Sequence, residues 1–351
     1  MTRWLFALLA VLIAGITPVA AADKDMLPTG VEWPVKVRVG LKVLNVLKVE
    51  EVAGQARLHL ELTQRWRDPR LAFDPLQQGL NRIDRVGEDA DEFLKANWRP
   101  GLVIDNQVDD ADSRSVALSV HSNGEAVLIE RFESNFRFRM NMDAFPFDKQ
   151  ELALVLSLPR YAKQEALLVS TEADRRNSGV EPVLSVVDWA SAGLRFTSEE
   201  GMGWNARSYS RLNATLTLAR HSERYVLRIF VPILAVLAVS IFVLWSPGLK
   251  EESKGSLIFS SLLVLAAISF TFESSFPGSI SLNTPVAQMI SLGYLYLVVV
   301  LMLEIMLASP IANPASRFHS LAREARRQIK WALPTIMVVI CVGAAVRALP
   351  A

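Results

Sequence analysis

Four apolar runs follow one another after Arg224, at residues 225–245, 255–272, 286–308 and 329–349. Each approaches the roughly 20 residues of helix that cross a hydrocarbon core about 30 Å thick. Within that core every backbone N–H and C=O must be satisfied inside the protein, so open runs of this kind are restricted to helices. The C-terminal part of the chain is thereby committed to four membrane-spanning helices. Four crossings return the C-terminus to the side on which the bundle begins.

The part before Arg224 has a different period. Val35, Val37, Val39, Leu41 and Val43 are separated by Lys36, Arg38 and Lys42, and Leu58, Leu60 and Leu62 by His59 and Glu61. Period-2 alternation predicts half-buried strands. Asn123-Gly124 between VALSV and AVLIERF predicts a hairpin turn, and residues 152–158 and the stretch from Ser210 keep the strand character. Many short strands in succession predict an all-β, immunoglobulin-like antiparallel sandwich as one domain. At the start, Arg3, the apolar run Leu5 to Ile16 and Ala20, Ala21, Ala22 give residues 1–22 the form of a secretory signal peptide. The alternative, an uncleaved anchor, is disfavoured because the apolar run is short of the 18 or more residues of a span.

Orientation follows from charge. The link between the third and fourth spans carries Arg317, Arg323, Arg326, Arg327 and Lys330 against Glu324, whereas Glu273 follows the second span with no Lys or Arg before the third. The positive-inside rule makes the basic link cytoplasmic and places the sandwich outside, in agreement with a signal peptide.

The second span has a polar side. Glu252, Ser256, Ser260, Leu263, Ala267, Phe270 and Glu273 recur at spacings of three and four, which keeps them on one helix face. Serines in membrane helices commonly bond back to their own carbonyls or across to a neighbour, and a glutamate at a helix N-terminus is ordinary dipole stabilisation. The order carboxylate, hydroxyls, leucine, carboxylate also suits a pore: Glu252 as a ring of negative charge, Ser256 and Ser260 hydrating ions, Leu263 as an apolar constriction. One helix cannot enclose a pore, so several subunits must each contribute one. Lys254 complicates the pattern, because a lysine pointing into the pore would offset Glu252 and favour anions.

Several function classes fall away. The single cysteine, Cys341, excludes an intrachain disulfide, and the four scattered histidines offer no zinc ligand set, so neither a metal nor another cofactor is expected. A formal net charge of +1 gives no electrostatic reason to expect a nucleic-acid partner. No set of nucleophile, base and orienter can be assembled, so no catalytic residue is expected. Asn213-Ala-Thr215 has the form of a glycosylation acceptor but reads as plain strand.

Three motifs lie in order ahead of the spans: RWRDPRLAFDP at 65–75, NWRP at 97–100 and FPFDKQ at 145–150. On these, the chain resembles the pentameric ligand-gated ion channels, in particular their cysteine-free bacterial members, since Phe138 and Leu152 stand where two cysteines close a loop in the animal proteins. The resemblance implies that 23–224 is a periplasmic ligand-sensing sandwich and 225–351 a pore domain. It further implies a homopentamer in a bacterial inner membrane, with the sandwich and the C-terminus periplasmic. It places Arg220, Asp148 and Glu50 in a charge cluster at the junction, with Phe145 and Pro146 pressing on the membrane domain and Pro277 beginning the link that would be pushed. FPFDKQ read by itself is equally a turn packed under a sandwich.

The family's ligand site lies between subunits and is aromatic. Here Glu61, Asp105 and Pro159 occupy aromatic positions, while Tyr161, Trp204 and Tyr209 are the nearby aromatics. Glu61 and Asp105 thus suit a cation, a proton or a polar small molecule better than a simple amine cage does. The resulting expectation is a channel for monovalent cations gated by a small-molecule agonist or by protons. An anion-selective channel of the same family and a non-conducting membrane receptor or scaffold are the alternatives.

Overall fold

The computed structural model describes residues 26–203, 206–246, 248–276, 284–312 and 317–348. Residues 1–22, Trp204 and Pro277 therefore lie outside the described residues. Among the described residues the strands run β1 (Val35–Glu50), β2 (Gln55–Arg67), β3 (Arg82–Val86), β4 (Val103–Ile104), β5 (Asp112–His121), β6 (Glu125–Arg137), β7 (Lys149–Ser157), β8 (Ala166–Val169), β9 (Gly179–Val180), β10 (Trp189–Met202) and β11 (Ser208–Arg220). They form two sheets, ordered β3-β5-β6-β2-β1-β8 with β9 also on β1, and β10-β11-β7-β4. The expected β-sandwich is present.

Alternation decides what lies between the sheets. Val37, Val39, Val43, Leu58 and Leu60 from the first sheet meet Leu152, Leu154, Leu156, Leu212 and Leu216 from the second, all at 0% exposure. The hairpin at Asn123-Gly124 forms between β5 and β6, with the Asn123 side chain accepting from the Glu125 N–H. Gly124 is required there: its φ is +80°, and a Cβ would stand 2.6 Å from the Asp68 carbonyl oxygen. Two register shifts, between Val43 and Asn45 and between Val46 and Lys48, break the alternation of β1 before it reaches the membrane end.

Short α-helices α1 (Pro75–Gln78), α2 (Glu88–Ala96) and α3 (Glu172–Arg176) interrupt the strands among the described residues. Four long ones follow: α4 (Ser222–Trp245), α5 (Glu251–Ser275), α6 (Pro285–Ala312) and α7 (His319–Ala348). Among the described residues, α4, α5 and α6 are long and apolar enough to cross a membrane. The fourth apolar run falls inside α7, which continues back into the basic link. A wider π-type turn at Val226–Phe230 stands just before Pro232 in α4, whose ring nitrogen has no proton to give the carbonyl four residues back.

Candidate functional site

The junction is built around Arg220, the last residue of β11, whose side chain is fully enclosed. Its Nε donates to Asp148 Oδ1 at 2.8 Å and its Nη2 to Asp148 Oδ2 at 3.2 Å, a two-pronged pairing. Nη1 donates to Glu51 Oε1 at 3.0 Å. Three rings surround the guanidinium: Trp189 at 4.0 Å, Phe145 at 4.9 Å and Tyr225 at 5.4 Å from the ring centroids. Burial works against the charge, but the hydrogen bonds and charge of Asp148, and then of Glu51, hold Arg220 above the ordinary guanidinium range. Asp148 is itself buried and accepts a further bond from Gln150 Nε2 at 2.6 Å.

Sequence reasoning assigned Glu50 to this cluster, and the structure corrects that by one residue. Glu50 pairs with Lys48 on the strand, while Glu51 begins the turn that Gly54 closes by donating to the Glu51 carbonyl. The turn aims the second carboxylate, not the first, at Arg220. Trp189 and Tyr225 were also missed; only their aromatic character marked them, and nothing in the spacing tied them to Arg220.

FPFDKQ belongs to the bundle as much as to the sandwich. Phe145 has 0% exposure and sits in the helix cluster, with its centroid 5.2 Å from Tyr225, 5.6 Å from Phe272 and 4.9 Å from Phe276. Pro146 follows it through a cis peptide bond, and Phe147 faces Phe230. The loop thus touches the upper end of α5 directly, through rings worth about 0.5–1.5 kcal/mol per pair beyond their buried area.

On α5 the side turned into the bundle is Lys254, Ile258, Ser261, Leu265 and Phe272, all buried. At about 100° per residue the seven residues singled out on this helix centre on the opposite side. Glu252, Ser256, Ser260, Leu263, Ala267, Phe270 and Glu273 are each exposed, Leu263 by 58% and Phe270 by 74%. Lys254 lies on the inner side, its Nζ 3.3 Å from Glu304 Oε2 on α6, and Glu304 also accepts from Arg326 of α7 at 2.6 Å. Its ammonium therefore points away from the exposed stripe. Ser261 on the inner side bonds back to the Leu257 carbonyl, whereas Ser256 and Ser260 face outward.

The expected ligand residues divide into two groups. Under the β10–β11 hairpin a cavity of ≈ 110 Å³ is lined by Asp105, Ser157, Pro159, Tyr209 and Arg211. Asp105 accepts from Ser157 Oγ and lies 3.4 Å from Arg211 Nε. Tyr161 stands apart from that lining, its hydroxyl accepting from Trp98 Nε1 at 2.9 Å inside the sandwich. Glu61 is on the other sheet, paired with Arg131 at 2.6 Å in a groove of ≈ 740 Å³. Within one chain these groups do not meet. The RWRD and NWRP motifs are packing devices: Trp66 and Trp98 meet edge to face at 6.3 Å, and buried Asp68 clamps Arg70.

A β-sandwich docked through a buried arginine onto a helix bundle, whose second helix keeps an outward polar stripe, defines a receptor coupled to a membrane pore. Residues 20–222 match the family model described as the neurotransmitter-gated ion-channel ligand binding domain. The chain belongs to this family of pentameric ligand-gated ion channels. It is accordingly a non-enzymatic, multi-pass membrane protein with an extracellular ligand-binding domain. It is 23% identical over 299 residues to a proton-gated ion channel of Gloeobacter violaceus, covering 85% of this chain and 80% of that one. It is also 23% identical over 270 residues to a glutamate-gated chloride channel of Drosophila melanogaster (73% of this chain, 56% of that one). A γ-aminobutyric acid receptor subunit rho-3 of Rattus norvegicus is 23% identical over 254 residues (70% and 52%).

Proposed function

We propose that five copies of this chain form a cation-selective channel of a bacterial inner membrane, opened by a small-molecule agonist or by protons. The relatives include a chloride channel, so family membership leaves the sign of the permeant ion open. The observation that carries the cation reading is the division of α5: Glu252 on the exposed face, Lys254 drawn inward onto Glu304. Five such faces would present a ring of carboxylates at the cytoplasmic mouth, which attracts cations and repels anions. Ser256 and Ser260 would replace hydration water, and Leu263 would close the path by dewetting.

In this reading a shift of the sandwich reaches the pore through Asp148, Arg220 and Phe145, because Phe145 rests on the upper turns of α5. The agonist site would be completed between copies, the hairpin cavity of one subunit meeting the Glu61 face of the next. Both of its carboxylates are already ion-paired, so a ligand bound there would take an arginine's place with hydrogen-bond donors of its own. Reversal potential in asymmetric salt tests the proposal. A shift toward the cation equilibrium is expected, and toward the chloride equilibrium in Glu252→Gln or Glu252→Lys. A wild-type reversal near the chloride equilibrium would overturn it, and protein that never conducts under a broad ligand and pH screen would favour a non-conducting receptor.

A further inference from the structure

The side of α6 turned into the bundle is built from Met289, Ile290, Gly293, Tyr296, Leu297 and Val300, recurring at helical spacing and all buried. Gly293 is the small residue among them. A glycine inside a helix is less favourable than alanine, and the interior of α6 asks for no left-handed backbone there, so the missing side chain calls for a packing reason. The reason is space. A Cβ at Gly293 would stand 3.1 Å from Leu265 Cδ2 on α5 and 3.5 Å from Leu237 Cδ2 on α4, and the first distance is shorter than the roughly 3.5–4.0 Å at which carbons pack. Leu265 and Leu237 are both buried, so neither has open solvent to yield into.

The contact falls at a telling place on α5. Leu265 lies two residues beyond Leu263, and at about 100° per residue the two side chains leave the helix in nearly opposite directions. Leu265 is enclosed by the bundle, while Leu263 is 58% exposed on the stripe assigned to the pore. Whatever moves α5 away from α6 at Leu265 therefore carries Leu263 in the direction it already faces. Ile258 and Phe272 also face the bundle further along the helix, but nearest the level of Leu263 α5 meets the bare backbone of Gly293.

We propose that Gly293 is a positioning residue for gating: its missing side chain forms a notch that seats Leu265, and the depth of that notch limits how far the Leu263 constriction withdraws from the pore axis. The inference rests on the pore reading of α5. A methyl group placed in the notch pushes α5 away from its own bundle, which in the proposed assembly is towards the pore, so it narrows the constriction and favours dewetting. A glycine kept for close packing alone would affect stability and leave the balance of open and closed states where it was.

The test is single-channel recording of the full assembled protein in planar bilayers, in a Leu263→Thr background whose resting current is expected without any agonist. Adding Gly293→Ala should lower the open probability roughly threefold or more, and adding Leu265→Val as well, which removes the methyl that the new Cβ meets, should return it to within about twofold. Leu265→Val without Gly293→Ala should raise it, an arm that stands even where Gly293→Ala assembles poorly. The reversal potential in asymmetric salt should be the same in every form, because Glu252 is untouched. Unchanged or raised open probability in Gly293→Ala, no rise in Leu265→Val, or a loss that Leu265→Val does not rescue would overturn the notch. Failure of every form to conduct would instead overturn the pore reading, and this proposal with it.

Discussion

The two halves of the chain bury apolar side chains by opposite rules. In the sandwich the large residues of the strands turn inward and are buried, and the large apolar groups left exposed, such as Leu76 and Val183, stand mostly outside the strands. In the bundle Leu227, Phe242, Leu295, Met302, Ile305 and Val339 point outward, and only 33%, 22% and 33% of the spanning windows of α4, α5 and α6 are buried. Water sorts the first half by the hydrophobic effect, and lipid leaves the second unsorted because its tails are as apolar as leucine. The lowest share, 22%, belongs to α5, whose outward face carries Glu252, Ser256, Ser260 and Glu273 together with exposed Leu263 and Phe270. The sandwich holds its core within one chain; in the proposed assembly the bundle meets lipid on some faces and the pore on the outward face of α5.

The sharpest break of that contrast would be equal responses to truncation on the two sides. Trp98→Ala, in the sandwich core, should cost about 3–5 kcal/mol by thermal unfolding of the full protein in detergent. Phe242→Ala on the outward face of α4 should stay within about 0.5 kcal/mol. Comparable losses would mean that the outward faces pack against protein rather than lipid.

At the junction the two rules meet, and the expected effect is of similar size but different kind. Arg220→Ala leaves Asp148 buried without its partner, a loss of about 3–5 kcal/mol for a broken buried pair. The assembled protein should reach the membrane yet open poorly. Arg220→Lys should recover part of the stability only, because an ammonium cannot bridge both Asp148 oxygens. Glu51→Gln should weaken agonist response more than Glu50→Gln, measured as current at matched surface amounts. Normal responses with normal surface amounts in Arg220→Ala would detach the cluster from gating.

How far these features could be read from sequence depends on the kind of information each one uses. Alternation located the inward leucines of β2 and β7, and helical spacing separated the two sides of α5, because each is a local period that survives folding. Glu51 was missed because two register shifts in β1 and a turn intervene between the regular strand and the junction, and local period carries no information past them. Lys254 could not be oriented for a related reason: its partner Glu304 is 50 residues away on α6. The expected ligand residues remained a scattered set because Glu61 and Asp105 stand on different sheets, and a local period carries no information about which sheet edges an assembly would bring together.

Leu263 sharpens the comparison at smaller energy. It is 58% exposed in the protomer, so Leu263→Thr should shift unfolding by no more than about 0.5 kcal/mol while easing the wetting of the constriction. A raised resting current with an unchanged melting temperature is expected in bilayers. A large loss of stability instead would show Leu263 packed as a core residue.

A small, pH-dependent effect lies on the sandwich surface, at the strap formed by α3. Asp174 accepts from Arg38 Nη2 at 2.9 Å and from Arg38 Nε at 3.1 Å, and Thr171 closes a capping box around it. Burial raises its pKa, but the bonds from Arg38 and Thr171 outweigh this and hold the carboxyl below its ordinary range. A depressed carboxyl adds stability above its unfolded pKa, near 3.9, and loses that contribution as pH falls through the lower folded value. Arg38 is a third exposed, so solvent screening limits the gain to no more than about 1 kcal/mol. Wild type should therefore exceed Asp174→Asn by a constant margin from about pH 7 to pH 5, with the margin closing below about pH 4. A margin that stays flat into acid would mean that shape, not charge, holds the strap. The Arg220 cluster and this one would then differ in kind as well as in depth.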